Sequence, residues 1–214
     1  MIRRFVCLAN SKKEGGRCLA GIELDNMNKP KTEAGHLKWI RPICETQYGE
    51  VPEYLVRHIN VLDVVEIFVT GYPSAKSYQS ENVFFLQKSI QVVGQFSVAN
   101  IAQLCSKQDL IFGNPGKALT EQEITVLTYS LILLRIDQFK IRETTFDERP
   151  KLRLAFTLEE HHYELPVTDV VFFLKYKADP ACLKNVKELF VTVSLSIKFK
   201  DELYYKLVAA IIPG

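Results

Sequence analysis

In the stretch from Phe190 to Phe199, apolar and polar residues alternate without a slip from Val191 onward. Val191, Val193, Leu195, Ile197 and Phe199 interleave with Thr192, Ser194, Ser196 and Lys198. Successive side chains of a strand point to opposite faces, so this stretch predicts a strand with one buried and one wet face. The same period returns upstream. Leu152, Leu154, Phe156 and Leu158 alternate with Arg153, Ala155 and Thr157, and after Glu159-Glu160-His161 a second run begins with Tyr163, Leu165 and Val167. Two alternating runs around a short polar break predict an antiparallel hairpin. Residues 130–136 and 204–212 are more continuously apolar, as in strands covered on both faces. In the first half, residues 2–9, 17–24, 39–43, 61–70 and 82–86 have strand character. Turn-rich stretches at 25–35 and 71–80 separate them.

Helices are short and few. Ser97 can cap one, with Val98, Ile101, Leu104 and Cys105 at helical spacing. Thr120 and Glu123 form a capping box for a second. Thr168-Asp169 supplies an N-cap for a third, running into residues 172–176. The expected fold class is mainly β with a few short helices. The break Gly113-Asn114-Pro115-Gly116 divides the chain, and each side holds about five short strands and a helix. That content fits two tandem five-stranded barrels, over residues 1–112 and 117–214, better than one sandwich.

With 47% apolar and 24% charged residues, the chain has enough Val, Ile, Leu and Phe for a substantial core. The formal charge of +2 is unevenly spread: residues 1–41 hold nine Lys/Arg against four Asp/Glu. Such a basic lobe suits an anionic partner. The five cysteines form no C-x-x-C pair, which argues against a disulfide framework and for a reducing cytoplasm. Residues 1–9 lack the apolar stretch of a signal peptide, and no run of ~18 apolar residues suggests a membrane span.

Several blocks carry a resemblance. They are Val6-Cys7-Leu8-Ala9-Asn10-Ser11, Gly15-Gly16-Arg17-Cys18, Ala20-Gly21 and Trp39-Ile40-Arg41-Pro42, then Asp63 to Glu66 with Gln79, Glu81 and Asn82. Ser130-Leu131, Leu165 with Val167-Thr168-Asp169, Ser194-Leu195 and residues 205–210 follow. Together they resemble the prokaryotic dual OB-fold domain family over nearly the whole chain. The resemblance implies two tandem OB folds, with nucleic-acid binding inferred from the fold. Where that family carries Gly-Glu-Pro after Ser-Leu, this chain has Ser196-Ile197-Lys198.

OB grooves combine cations along a nucleic-acid backbone with aromatics on which bases stack. The expected contacts are Asn10, Ser11, Lys12, Lys13, Arg17, Trp39, Arg41, Gln79 and Lys206. Trp39 and Arg41, two apart on a strand, share a face, so a base on Trp39 sits beside a phosphate on Arg41. Asn10 and Ser11 suit turn closure better than ligand contact, Trp39 equally suits a core, Arg41 suits an ion pair, and Lys206 suits solvent as well as a groove. Single-stranded DNA or RNA is expected over duplex, with protein partners in a larger complex and no membrane. No catalytic residue, metal or cofactor is expected. HExxH and Cys clusters are missing, Ile111 and Ala118 break the P-loop pattern around Gly116-Lys117, and the sequence assigns no particular histidine to Cys18 as a base. A protein adaptor and a small-ligand or nucleotide sensor are the alternatives.

Overall fold

The computed structural model describes residues 1–73 and 78–214. The turn expected at 71–80 therefore lies partly outside the described residues. Two units are present, Met1–Leu104 and Cys105–Gly214.

In the first unit the strands are β1 (Ile2–Lys13), β2 (Gly16–Leu24), β3 (Thr32–Glu33), β4 (His36–Leu37), β5 (Trp39–Ile43), β6 (Asp63–Gly71), β7 (Asn82–Phe85) and β8 (Gln91–Gln95). β3 and β4 form a small hairpin of their own, and β8 adds to the outside of β6. The other five close a ring, β1-β2-β5-β7-β6-β1. β5 and β7 run parallel and the remaining neighbours antiparallel. A short helix, α1 (Glu53–Val56), connects the third barrel strand to the fourth. This is the OB arrangement.

The sequence explains the closure. β1 pairs with β6 through residues 2–6 and with β2 through residues 4–13, so one strand serves both neighbours; a bulge between Cys7 and Ala9 bends it. A Cβ at Gly21 would stand 1.8 Å from the Val6 carbonyl oxygen, so glycine alone lets β2 coil this closely over β1. Phe5, Cys7, Leu19, Ile40, Val65 and Ile67 fill the interior, with Val56 of α1 packed among them.

The second unit repeats the order with a broken first strand. Its elements are β9 (Ala118–Leu119), α2 (Glu121–Thr125), β10 (Leu131–Ile136), β11 (Phe139–Phe146), β12 (Arg149–Leu158), β13 (His161–Pro166), α3 (Val170–Ala178), β14 (Leu189–Leu195) and β15 (Tyr204–Pro213). β10 and β11 flank a bend at Asp137-Gln138 and act as two halves of one strand. β10 pairs with β14, and β11 pairs with β12. β12 continues to β13, and β14 to β15. β13 meets β15 through a parallel bridge, Val167 to Val208, reinforced by the Thr168 amide donating to the Val208 carbonyl at 2.8 Å. Again the third and fifth strands run parallel, and again a helix, α3, follows the third. The first unit is thus a closed barrel and the second a curled, more open one: two tandem OB folds.

Two of the three predicted caps are present, while the segment expected to follow Ser97 is a 3-10 helix, Val98–Leu104, entered through the Ser97 carbonyl. Thr120 and Glu123 form the reciprocal box at α2, and Asp169 Oδ1 accepts from the Phe172 amide at 2.9 Å. Two expectations change. β14 stops at Leu195 and is buried along its whole length, Thr192 and Ser194 included. Its polar face is not wet: Thr192 and Ser194 are buried, and Ser194 Oγ donates to the Leu195 carbonyl at 3.3 Å. The adaptor alternative relies on the polar face of residues 190–199, of which Thr192, Ser194 and Ser196 are buried and only Lys198 is exposed. In addition, the 113–116 break belongs to the second unit, held by Tyr163 Oη donating to the Asn114 carbonyl at 3.1 Å.

Candidate nucleic-acid interface

The residues expected to bind in the first unit are mostly drawn inward. Asn10 Nδ2 donates to the carbonyls of Val56 and Ile59 at 2.7 and 2.8 Å, terminating α1 rather than facing a groove. Ser11 is buried. Arg17 locks β2 to the segment before α1: its backbone exchanges two hydrogen bonds with Val51, and its guanidinium meets Glu53 at 2.5 Å. A Cβ at Gly16 would stand 2.5 Å from the Val51 carbonyl oxygen, so the Gly15-Gly16 pair allows close chain packing here.

Arg41 changes most. It shares the face of Trp39, yet it is 2% exposed and pairs with the equally buried Glu81 at 3.0 Å. Glu81 arrives because β7 pairs in parallel with β5, setting Asn82 beside Arg41. Arg41 Nη1 reaches Asn82 Oδ1 at 3.4 Å, and Asn82 Nδ2 donates to Gln79 Oε1 at 3.2 Å. Gln79 thus supports the ion pair. Trp39 and Lys13 are half-buried, and Lys12 is exposed. Burial lowers the Lys13 ammonium below the usual lysine range; nearby Arg41 adds to this, while Cys18 and Glu50 oppose it. Six of the nine cations in residues 1–41 (Arg3, Arg4, Arg17, Lys31, Lys38 and Arg41) pair with carboxylates. The basic lobe read from the sequence is largely paired with carboxylates, some at the surface and one, Arg41–Glu81, fully enclosed.

Lys206, on β15, is fully buried. Its Nζ donates to the carbonyls of Asn114 at 2.5 Å and Gly116 at 2.7 Å, and lies 5.1 Å from the centroid of the Tyr163 ring. Desolvation pushes its pKa down to about 7, against the pull of Glu123. It clamps the 114–116 segment and does not face a groove.

The open basic surface is elsewhere, on the three-stranded β11-β12-β13 sheet. The register places Lys140, Arg142, Arg149, Lys151 and Arg153 on one face, with Ala155, Thr157, His162 and Glu164 continuing it. The opposite face carries Leu152, Leu154, Phe156, Tyr163 and Leu165 and is buried. Arg142 and Arg153 stand directly opposite each other, a repulsive pairing that Glu164 relieves by contacting them at 3.2 and 2.9 Å. Four exposed cations and half-buried Arg153 thus share this face with a single carboxylate. A concavity lined by Lys140, Arg142, Thr157, His162 and Glu164 crosses this face. It is the outer face of the first three strands of an OB unit, where OB folds hold oligonucleotides. The signal was present in the sequence as period-2 cations, at 140 and 142 and at 149, 151 and 153. It was missed because β11 has too little apolar alternation to be recognised as a strand.

Among the described residues no three His, Cys, Asp or Glu side chains come together to hold a metal ion. All five cysteines are free thiols. No described helix is long and apolar enough to cross a membrane.

Comparison with solved structures finds distant likenesses. A replication protein A heterotrimer bound to single-stranded DNA is similar at 9% identity and a TM-score of 0.36, over 91% of this chain and 44% of that one. This chain therefore spans less than half of that chain's length. A murine DNA-binding protein bound to double-stranded DNA gives 9% identity and a TM-score of 0.34, over 100% of this chain and 98% of that one. The tetrameric p202 HIN2 domain gives 9% and 0.31, over 100% and 92%. No curated protein matches. The profile of the dual OB-containing domain matches residues 3–211, in agreement with both barrels, and the chain belongs to that family.

Proposed function

We propose that this protein is a non-enzymatic nucleic-acid binder that holds single-stranded DNA or RNA on the outer face of its second OB unit. The observation carrying this reading is the exposed set Lys140, Arg142, Arg149 and Lys151, joined by half-buried Arg153 and opposed by Glu164 alone. Cations two residues apart on adjacent strands form a stripe that can follow a phosphate backbone. A single strand is favoured because an OB face offers a shallow curved platform, with no helix to enter a major groove. In the first unit, exposed Lys12 and half-buried Trp39 and Lys13 contribute at most a secondary contact.

The test is fluorescence anisotropy with a labelled single-stranded oligonucleotide at 50 and 200 mM salt. For single strands log K falls with log salt at a slope of about −0.7 per neutralised phosphate. Three contacts, from Lys140, Arg149 and Lys151, give a loss of roughly 20-fold across that range, and five give about 100-fold. Arg149→Glu with Lys151→Glu should flatten the slope, whereas Lys12→Glu should barely change it. Absence of binding at 50 mM salt would sink the reading.

A further inference from the structure

The β11-β12 ribbon extends past the sheet that carries it. β13 pairs with β12 over residues 153–158, while residues 149–152 pair with β11. At the tip, a two-residue turn of Asp147 and Glu148 joins the strands, and Phe146, 67% exposed, stands directly opposite Arg149. Thr144 opposes Lys151 next along, so the Phe146 ring and the cations occupy one face. Glu143 lies on the other face, where it pairs with Lys177 of α3 at 2.6 Å. The ribbon therefore separates its chemistry: a carboxylate tied back to the helix on one side, and an exposed aromatic beside a line of cations on the other.

We propose that Phe146 is a stacking platform for an unpaired nucleobase, with the attached phosphates running from Arg149 toward Lys151 and Lys140. This rests on the reading of the second OB face above and adds a base-contacting residue to it. Strand pairing holds the ring outside the barrel before any ligand arrives, so little ordering cost remains on binding. From Phe146 to Lys140 the strand covers about 20 Å at ~3.3 Å per residue. That length suits the short end of OB site sizes, ~4 nucleotides. The tip itself rejects a duplex. Asp147 and Glu148 are exposed in the turn that follows Phe146, and a duplex seated over the tip would bring both its phosphate backbones toward their carboxylates, whereas a single strand needs to approach from the cationic side alone.

The experiment uses the full chain with a fluorescein-labelled 12-mer, single-stranded and as the matched duplex, plus a single-stranded version with one 2-aminopurine. Phe146→Ala removes an exposed ring and should leave the melting temperature unchanged. It should weaken single-strand affinity roughly 5- to 150-fold, the range for losing one base-stacking contact, with the salt slope intact. Phe146→Trp should restore affinity, and wild type but not Phe146→Ala should quench 2-aminopurine. Unaltered affinity in Phe146→Ala, or an equal loss on duplex and single strand, would overturn the stacking role while the salt-dependent binding of wild type stands. Wild-type protein that binds no oligonucleotide at low salt would instead remove the broader reading on which this one depends.

Discussion

Breaking the Arg41–Glu81 pair is the sharpest test of how the first barrel is held. Both side chains are almost wholly enclosed, and the charged atoms are 3.0 Å apart. Glu81→Gln keeps the shape but leaves a guanidinium charge buried against an amide. Arg41→Met leaves the carboxylate in the same position. Removing one partner of a buried pair costs about 3–5 kcal/mol, since the survivor keeps its desolvation penalty and loses its counter-charge. The double variant Arg41→Met/Glu81→Leu removes both charges, and such replacements are often neutral. It should therefore recover most of the loss. The assay is urea unfolding followed by tryptophan fluorescence: Trp39 is the chain's one tryptophan and belongs to the first unit, so the signal isolates that barrel. With an m-value of about 2 kcal/mol/M, each single variant should lower the midpoint by roughly 2 M. The loss should persist in 0.5 M salt, because a dry pair is poorly screened. Oligonucleotide affinity measured where the single variants remain folded should stay near wild type. A stability loss below about 1 kcal/mol, or one abolished by salt, would show that water reaches the pair, and would return Arg41 to the list of groove residues.

Two further outcomes follow from the second unit. The Lys206 pKa is depressed to about 7, so between pH 7 and 10.5 the unfolded chain binds more protons than the folded one. Stability should then rise with pH across that window, by at most about 1.4 kcal/mol per pH unit, and Lys206→Met should remove this increment; equal slopes in the two proteins would refute it. At the ribbon tip, Asp147 and Glu148 have φ of 47° and 59°, the left-handed conformation that a two-residue hairpin turn requires and that glycine adopts without a Cβ clash. Glu148→Gly should stabilise the turn by about 0.5–1 kcal/mol and slow hydrogen exchange of the ribbon amides, while unchanged or faster exchange would show that the turn is not strained.

The sequence alone determined most strands, two of the three expected helix caps and the division into two β-rich halves. Those are local properties. Alternation states which faces of a strand differ, and a cap is completed within three residues, as Thr120 and Glu123 complete theirs. What it did not determine is which polar groups meet solvent. Arg41 is enclosed because Glu81, forty residues later, is delivered by a parallel strand pairing. Lys206 is enclosed because Asn114 and Gly116 supply its acceptors. Thr192 and Ser194 are buried although their alternation with valines and leucine predicts a wet face. Conversely, β11 has little apolar pattern of its own and gains its meaning from register with β12, which gathers five scattered cations onto one face. A charge carries no local record of its future partner, so tertiary pairing decided which basic residues became structure and which became surface.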